Sequence, residues 1–439
     1  MSDYMFMLDS HLSGEQTQAV SLVRDAAEEA GLNLFLTGGA MRDMMAGFPI
    51  RDLDFTVEGP ALKLAKSLAE TKGAKIISTN EGRRSAEILL PGNVQASISM
   101  AREEKHHRPG SKPHVEPGSI HDDLRCRDFT VNAIALSLGK ASRGLLLDPC
   151  NGLGDLARKE LRGVTNHILY DEPARILRLI RFRTRLSFTI DERLAAQYKN
   201  AREAKLEAKI SPSMLESELH RIAFEPLAAD IVKALDDEGL LSLFSPALAG
   251  AKLNFSSLAK LQKTLQAVPY GLRISVDYYV LFLALLFEKL SGKERNQMIA
   301  AVGLEKSVAD AAQKLESRVA KFEKDLAAAK INRPSALYAL LSKVPGEVLI
   351  YASMKSTQRI VADRLKNYFQ KYLPTAQEVT PADVIGQGAQ PGTAKFDKIY
   401  KELVAARLDA RPKKPVIVEE PPPPPPPPPG RRSASSFGR

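Results

Sequence analysis

Cysteine is nearly absent. Cys126 and Cys150 are the only two in the chain, too few for a disulfide framework or, by themselves, a zinc site. A reducing cytoplasm fits such a chain. Long apolar runs are missing too: stretches such as 279–287 have core-helix length, short of the roughly 18–20 residues that cross a bilayer, so no membrane partner is expected. The opening residues, MSDYMFMLDSHLSGEQ, have no basic region ahead of an apolar one and do not read as a signal peptide. No segment repeats at a fixed period, and no His-Asp pair of the phosphohydrolase kind is evident. Ordinary proportions remain, 44% hydrophobic and 26% charged over 439 residues, which points to about two to four globular domains.

What the chain does have is positive charge, 62 Lys plus Arg against 52 Asp plus Glu. Neutralised phosphates release counterions, so that excess favours a polyanionic partner. Strand-like runs lie at Leu34–Thr37, Asp54–Val57, Lys75–Ser78, Ala86–Leu90 and Val94–Ser99, with helices near 15–30, 40–46 and 60–72. Beyond about 151 the strand signal fades and amphipathic helices follow at 172–186, 192–208, 213–223, 226–238, 256–267, 276–288 and 304–329. The layout is α+β, a mixed-sheet head followed by an all-helical remainder. The end differs: nine consecutive prolines, 421–429, then GRRSASSFGR. Such a run is an extended, solvated tail, or a docking segment whose Arg431, Arg432 and Arg439 add RNA contacts.

The chemistry concentrates in LFLTGGAMRDMMAGFPIRDLDFTVEG at 34–59. A strand ends in Gly38–Gly39, and a helix from about Ala40 carries Arg42 and Asp43. Glycines at such a corner let backbone amides approach a phosphate, and Arg42 can add a charge-assisted contact. Asp52 and Asp54 follow, one residue apart in a β-type run, so both carboxylates share a face while Leu53 and Phe55 point into the core. Two aligned carboxylates can hold a pair of Mg²⁺ ions. Either half alone is commonly a structural feature; strand, glycine corner, helix and acidic strand in that order is much rarer.

That stretch resembles the signature of class II tRNA nucleotidyltransferases (CCA-adding enzymes) and the related bacterial poly(A) polymerases. The resemblance continues through DLRCRDFTVNAIAL at 123–136, DPCNGLGDLARKELRGV at 148–164 and DEPARILRLIRF at 171–182, over roughly the first half of the chain. It implies a polymerase-beta-like head at 1–149, a neck with a nucleotide-template helix at 150–223, a helical body at 224–270, an RNA-binding tail at 271–410 and the proline-rich end at 411–439. It also implies addition of CCA to tRNA 3′ ends from CTP and ATP. Alternatives are poly(A) addition and, given two departures described below, an idle RNA-binding relative. Oligomeric state is not legible.

By resemblance, Asp52 and Asp54 bind Mg²⁺, and Gly38, Gly39, Arg42 and Asp43 lie at the incoming nucleotide. Arg127 contacts phosphate, while Asp128 and Asn132 hold the ribose and the site geometry. The alternative for Arg127 and Asp128 is a mutual ion pair. Segment 171–185 reads as one helix in which Glu172, Arg175, Arg178 and Arg181 project together at spacing three. In the family it is an amino-acid template: a carboxylate accepts from the exocyclic amine of C or A, and an Arg donates to a ring acceptor. Four departures stand out. Glu172 occupies the place of the usual Asp, and Asp171 is its possible substitute. Cys126 replaces an Arg, and Ser97 stands where a third carboxylate often lies, leaving Glu104 or another acid to contribute. ISPSMLESEL at 210–219 keeps Glu218 and Leu219 but has Ser213 and Met214 in place of a charged pair. The polar stretch 103–122, with His106, His107 and His114, reads as a mobile flap; its histidines lack regular metal-ligand spacing.

Overall fold

The computed structural model describes residues 3–410 apart from 106, 107, 109, 112, 268–273 and 329. The proline run, the arginines after it, and His106 and His107 therefore lie outside the described residues. Two compact units are present, one comprising the described residues up to 267, 274–328 and 345–362, the other 330–344 and 363–410.

The first unit opens with α1 (Asp3–His11) and α2 (Gly14–Glu29). Helix α2 starts at a reciprocal cap: Ser13 Oγ accepts from the Gln16 amide and Gln16 Oε1 accepts from the Ser13 amide. Then come β1 (Asn33–Thr37), α3 (Gly39–Met45), β2 (Leu53–Glu58), α4 (Ala61–Thr71), β3 (Lys75–Asn80), β4 (Ser85–Leu90), β5 (Val94–Met100), β6 (Arg102–Lys105), β7 (His114–Pro117), α5 (Ile120–Arg125), β8 (Ala135–Ser137), β9 (Leu146–Leu147) and α6 (Gly152–Arg158). Seven strands form one sheet in the order β3-β4-β5-β2-β1-β8-β9. It is mixed: β2 and β5 run parallel and the other neighbours antiparallel.

Alternation divides the sheet into two faces. Leu53, Phe55, Val57, Ile88 and Ile98 are fully buried, on the side covered by α4, whose Leu64, Ala65 and Leu68 recur at helical spacing. The opposite face carries Thr37, Asp54, Thr56, Ser97 and Ser99, hydrogen-bonded as a Thr37–Thr56–Ser99 row and a Ser97–Asp54 pair. The register sets Asp54 beside Ser97 and Ser97 beside Glu87, so one cross-strand line runs over β2, β5 and β4. Within the 103–122 stretch β6 and β7 pair antiparallel, with Lys105 opposite His114.

After the sheet come β10 (Glu160–Leu161), α7 (Ile168–Asp171), α8 (Arg175–Leu186), β11 (Thr189–Ile190), α9 (Glu192–Glu203), α10 (Pro212–Ala223), α11 (Ala228–Asp237), α12 (Phe255–Ala267), α13 (Tyr278–Phe287), α14 (Gly292–Val302) and α15 (Lys306–Ala328). Helix α13 is apolar on all sides and buried from Tyr279 to Phe287, as a helix at the centre of its neighbours must be. Among the described residues, no helix is long and apolar enough to cross a membrane.

One expected helix is broken. Segment 171–185 is not continuous: α7 ends at Asp171, Glu172 is extended (φ −132°, ψ 93°), and α8 starts at Arg175. Pro173 is the cause, because its ring excludes the helical conformation from the residue before it.

The remaining helices are α16 (Pro334–Leu341), α17 (Gly346–Lys355), α18 (Arg359–Asn367), α19 (Leu373–Gln377), α20 (Pro381–Ile385) and α21 (Ala394–Asp409). In the second unit Ala376, Val379, Val404 and Leu408 form a small core with Tyr338, Tyr372, Tyr400 and Leu403 around it.

Candidate active site

The cleft face of the sheet is built around the corner between β1 and α3. Gly38 has φ 65°, and a Cβ there would lie 2.7 Å from Arg127 Nη1 and 3.4 Å from Asp54 Oδ2. Only glycine combines that backbone with that proximity. A Cβ on Gly39 would likewise lie 3.4 Å from Asp54 Oδ2. The Asp54 carboxylate thus sits against the corner, and its Oδ1 accepts from Ser97 Oγ at 2.8 Å. Asp52 lies immediately before β2 rather than within it. Crowding by its surroundings strips water from the Asp52 carboxyl, and the Asp54 charge adds repulsion; together they raise its pKa, although the residue as a whole stays open to solvent. Glu87 is raised the same way, first by desolvation and then by Asp54.

Arg127 donates to Asp123 Oδ2 (2.8 and 3.0 Å) and to the hydroxyls of Thr37 and Thr56. It does not pair with Asp128. Asp128 is buried, accepts from the Phe129 amide and Asn132 Nδ2, and meets Arg178 Nη1 at 3.1 Å. Asn132 in turn accepts from Arg42 Nη1 at 2.7 Å. Arg42 is itself buried, bonded to Asp43 and stacked on the Phe182 ring at 4.7 Å, so it braces the corner from behind. Asp43 also binds Arg185 at 2.6 Å.

Glu172 faces this group from the break between α7 and α8. Arg175 Nε and Arg178 Nη2 each lie 3.4 Å from its carboxylate and Arg83 Nη2 at 3.9 Å. The buried Arg175 Nε has no hydrogen-bond partner. On α10, Glu218 receives Arg178 Nε at 3.0 Å and Arg181 Nε at 3.2 Å. Arg181 continues to Glu225 at 2.8 Å, which also takes Arg51 and Arg185. Burial opposes charge on Asp128, Glu172 and Glu218, but the arginines outweigh it, led by Arg178 in each case, and all three pKa values are lowered.

One cleft gathers Asp54, Arg127, Asp128, Asn132, Glu172, Arg175, Arg178 and Arg181. Asp171 does not join its lining; its carbonyl accepts from the Gly110 amide. Gly38 and Gly39 abut it through Asp54 and Arg127, Arg42 and Asp43 stand behind, and Asp52 flanks it. Sequence reading missed Arg83, Glu87 and Arg221, which also line the cleft. Only Glu87 left a trace, as the polar step between buried Ala86 and Ile88; the other two arrive through long-range packing. Glu104, a candidate third acid, is paired with Arg102 at 2.6 Å. Among the described residues, no group of three or more His, Cys, Asp or Glu side chains is placed to hold a metal.

Residues 34–162 match the family model described as the poly A polymerase head domain. The chain is 32% identical over 239 residues to the A-adding tRNA nucleotidyltransferase of Halalkalibacterium halodurans, covering 54% of this chain and 56% of that one. It is 34% identical over 226 residues to the CC-adding tRNA nucleotidyltransferase of Deinococcus radiodurans, covering 51% and 59%. The chain thus spans between half and two thirds of the length of these two relatives. A solved CCA-adding enzyme in an apo form shares the fold at TM-score 0.54 and 21% identity, over 94% of this chain and 96% of that one.

Proposed function

We propose that this poly A polymerase head domain and the helices after it act as a template-independent tRNA nucleotidyltransferase that adds CCA to tRNA 3′ ends from CTP and ATP in the cytoplasm. The reading is carried by one observation: a carboxylate beside a glycine corner and a carboxylate among arginines line the same cleft. The first suits phosphoryl chemistry and the second suits a base edge.

In this reading Glu172 accepts from the exocyclic amine of cytosine or adenine. Arg175, whose Nε faces Glu172 at 3.4 Å without a hydrogen bond, donates to the ring acceptor. U and G present the opposite pattern and leave buried groups unpaired. Arg127, held against Gly38, lies where a phosphate would meet the corner. Asp128 and Asn132 fix the ribose side, and Arg42, Asp43, Arg178 and Arg181 hold the walls in register. The RNA 3′ oxygen attacks the α-phosphorus, the bond to the bridging oxygen breaks, and pyrophosphate leaves. The hard oxygen donors of Asp52 and Asp54 suit Mg²⁺; desolvation and then repulsion from Asp54 raise Asp52, and a bound dication would offset both. Bound there, Mg²⁺ would supply activation of the attacking hydroxyl and stabilisation of the leaving group. The proposed architecture is head 1–149, template-bearing neck 150–223, body 224–270 and an RNA-binding tail 271–410.

The test is incubation of the full chain with tRNA transcripts ending before the CCA, after CC, or complete, with CTP and ATP supplied separately and together. Growth by CCA and no further supports the reading. Addition of A alone to the CC-ended transcript, or of CC alone, narrows it to one step. Long A tails without C reassign the chain to poly(A) addition, and no product under any Mg²⁺ condition overturns it.

A further inference from the structure

Seven guanidiniums line the cleft: Arg83, Arg102, Arg127, Arg175, Arg178, Arg181 and Arg221. Six have anionic partners. Arg83 and Arg175 approach Glu172, Arg102 holds Glu104, Arg127 holds Asp123, and Arg178 and Arg181 share Glu218. Arg221 alone differs: among the described residues no side-chain hydrogen bond or ion pair ends on it, and the residue is exposed. It stands on α10 three residues after Glu218, on the same helical face. The Glu218 carboxylate is already hydrogen-bonded to Arg178 and Arg181, which leaves the Arg221 guanidinium without a carboxylate in direct contact.

Its position within the cleft says what could use that charge. The sheet order sets β4, β5, β2 and β1 side by side, so Glu87, Ser97, Asp54 and the Gly38 corner succeed one another across the face. Strands are about 4.8 Å apart, which puts Glu87 about 10 Å from Asp54 on the side away from the corner. Glu87 and Arg221 line the same cleft, and the Arg221 charge acts on the Glu87 carboxyl. Under the proposed reaction the triphosphate occupies the corner. An in-line displacement brings the attacking oxygen to the α-phosphorus from the side opposite the leaving pyrophosphate. The acceptor must therefore enter from the β5–β4 side, where Arg221 waits.

We infer that Arg221 is a binding residue for the RNA acceptor, contacting a backbone phosphate near its 3′ end and not the incoming nucleotide. This rests on the nucleotidyltransferase reading of the cleft. A guanidinium matches a phosphodiester in shape and charge and carries no base preference, as an end-holding contact requires.

The experiment measures binding without catalysis. Fluorescence anisotropy of a labelled tRNA transcript lacking its CCA, with no nucleotide present, is recorded for the full chain, Arg221→Ala and Arg221→Lys across a salt series. KM values for RNA and for each nucleotide are measured in parallel, and thermal melting establishes that the variants fold. Arg221→Ala should weaken RNA binding roughly tenfold and lower the slope of log affinity against log salt by about 0.7–1. Arg221→Lys should recover most of both, and KM for CTP and ATP should stay unchanged. Unaltered RNA affinity and salt slope in a folded Arg221→Ala chain that still adds nucleotides would overturn this assignment alone. A raised nucleotide KM with unchanged RNA binding would move Arg221 to the triphosphate and also overturn it. Failure of the unaltered chain both to bind RNA and to add nucleotides would remove the underlying reading as well.

Discussion

The two ends of the cleft solve opposite electrostatic problems. At the base-facing end, Asp128, Glu172 and Glu218 are buried, yet each is held charged by Arg178 and a second arginine, and each pKa is lowered. At the sheet end, loss of water and then the Asp54 charge raise the pKa values of Asp52 and Glu87. One end is internally neutralised and can stand preformed before any ligand arrives. At the other, Arg221 and Arg51 only partly offset the crowded carboxylates, and an incoming cation or proton would relieve them further. Under the proposed function, specificity belongs to the self-sufficient end and reactivity to the incomplete one.

The most severe way to break that contrast is at the incomplete end. Asp54→Ala should reduce nucleotide addition about a thousandfold or more, since the charge facing the reaction is removed. Melting temperature should hold or rise slightly, because a repelling carboxylate is gone. Single-turnover addition and calorimetry on the same preparation separate the two effects, and a large fall in stability would show that Asp54 holds the fold after all.

Next in size is the converse change. Glu218→Ala strands Arg178 and Arg181 in a buried site and should cost about 3–5 kcal/mol of stability, read from the midpoint of urea unfolding. A loss under about 1 kcal/mol would mean water or the remaining carboxylates replace Glu218, and the base-facing end would not be self-sufficient.

Acid should separate the ends more gently. Lowered pKa values at Asp128, Glu172 and Glu218 contribute stability that is complete above the unfolded carboxylate range near 4. That stability is lost as pH falls through their folded values below it. Raised values at Asp52 and Glu87 have the other sign: their contribution is complete below that range and is lost as pH rises through their folded values above it. Melting temperature followed downward from pH 7 should hold or rise slightly until about pH 4 and then fall steeply. In Glu218→Gln the fall should be shallower, and an unchanged slope would remove Glu218 from the account.

The smallest effect concerns choice. Glu172→Asp shortens the reach toward a base by one methylene, and the ratio of kcat/KM for CTP to that for ATP should shift several-fold with little change in stability. Identical ratios would place base reading elsewhere.

The strands and the glycine corner were readable because period-two alternation and the backbone demand at Gly38 are local properties. Expected runs such as Ala86–Leu90 differ from the observed strands by a residue or two. The Arg-rich stripe of α8 was legible for the same reason. The continuous helix expected through 171–185 is interrupted: three arginines at spacing three suggest a helix reaching back to Glu172, but Pro173 bars its predecessor from the helical conformation. Arg127 takes a partner four residues away, but its neighbour Asp128 takes one 50 residues away, which no local pattern encodes. Arg221 is hidden for the same reason: its importance comes from what its neighbours have already bound.

The interruption at Pro173 has a mechanical consequence. In an unbroken helix each residue is turned about 100° from the last, so any fraying or overwinding would swing Glu172 relative to Arg175 and blur the distance between acceptor and donor. A rigid pyrrolidine ring between them takes that angle out of the helix's control, like a fixed stop between the jaws of a caliper. A substitution at 173 that let the two helices fuse would leave every recognition group present and change the gauge between them.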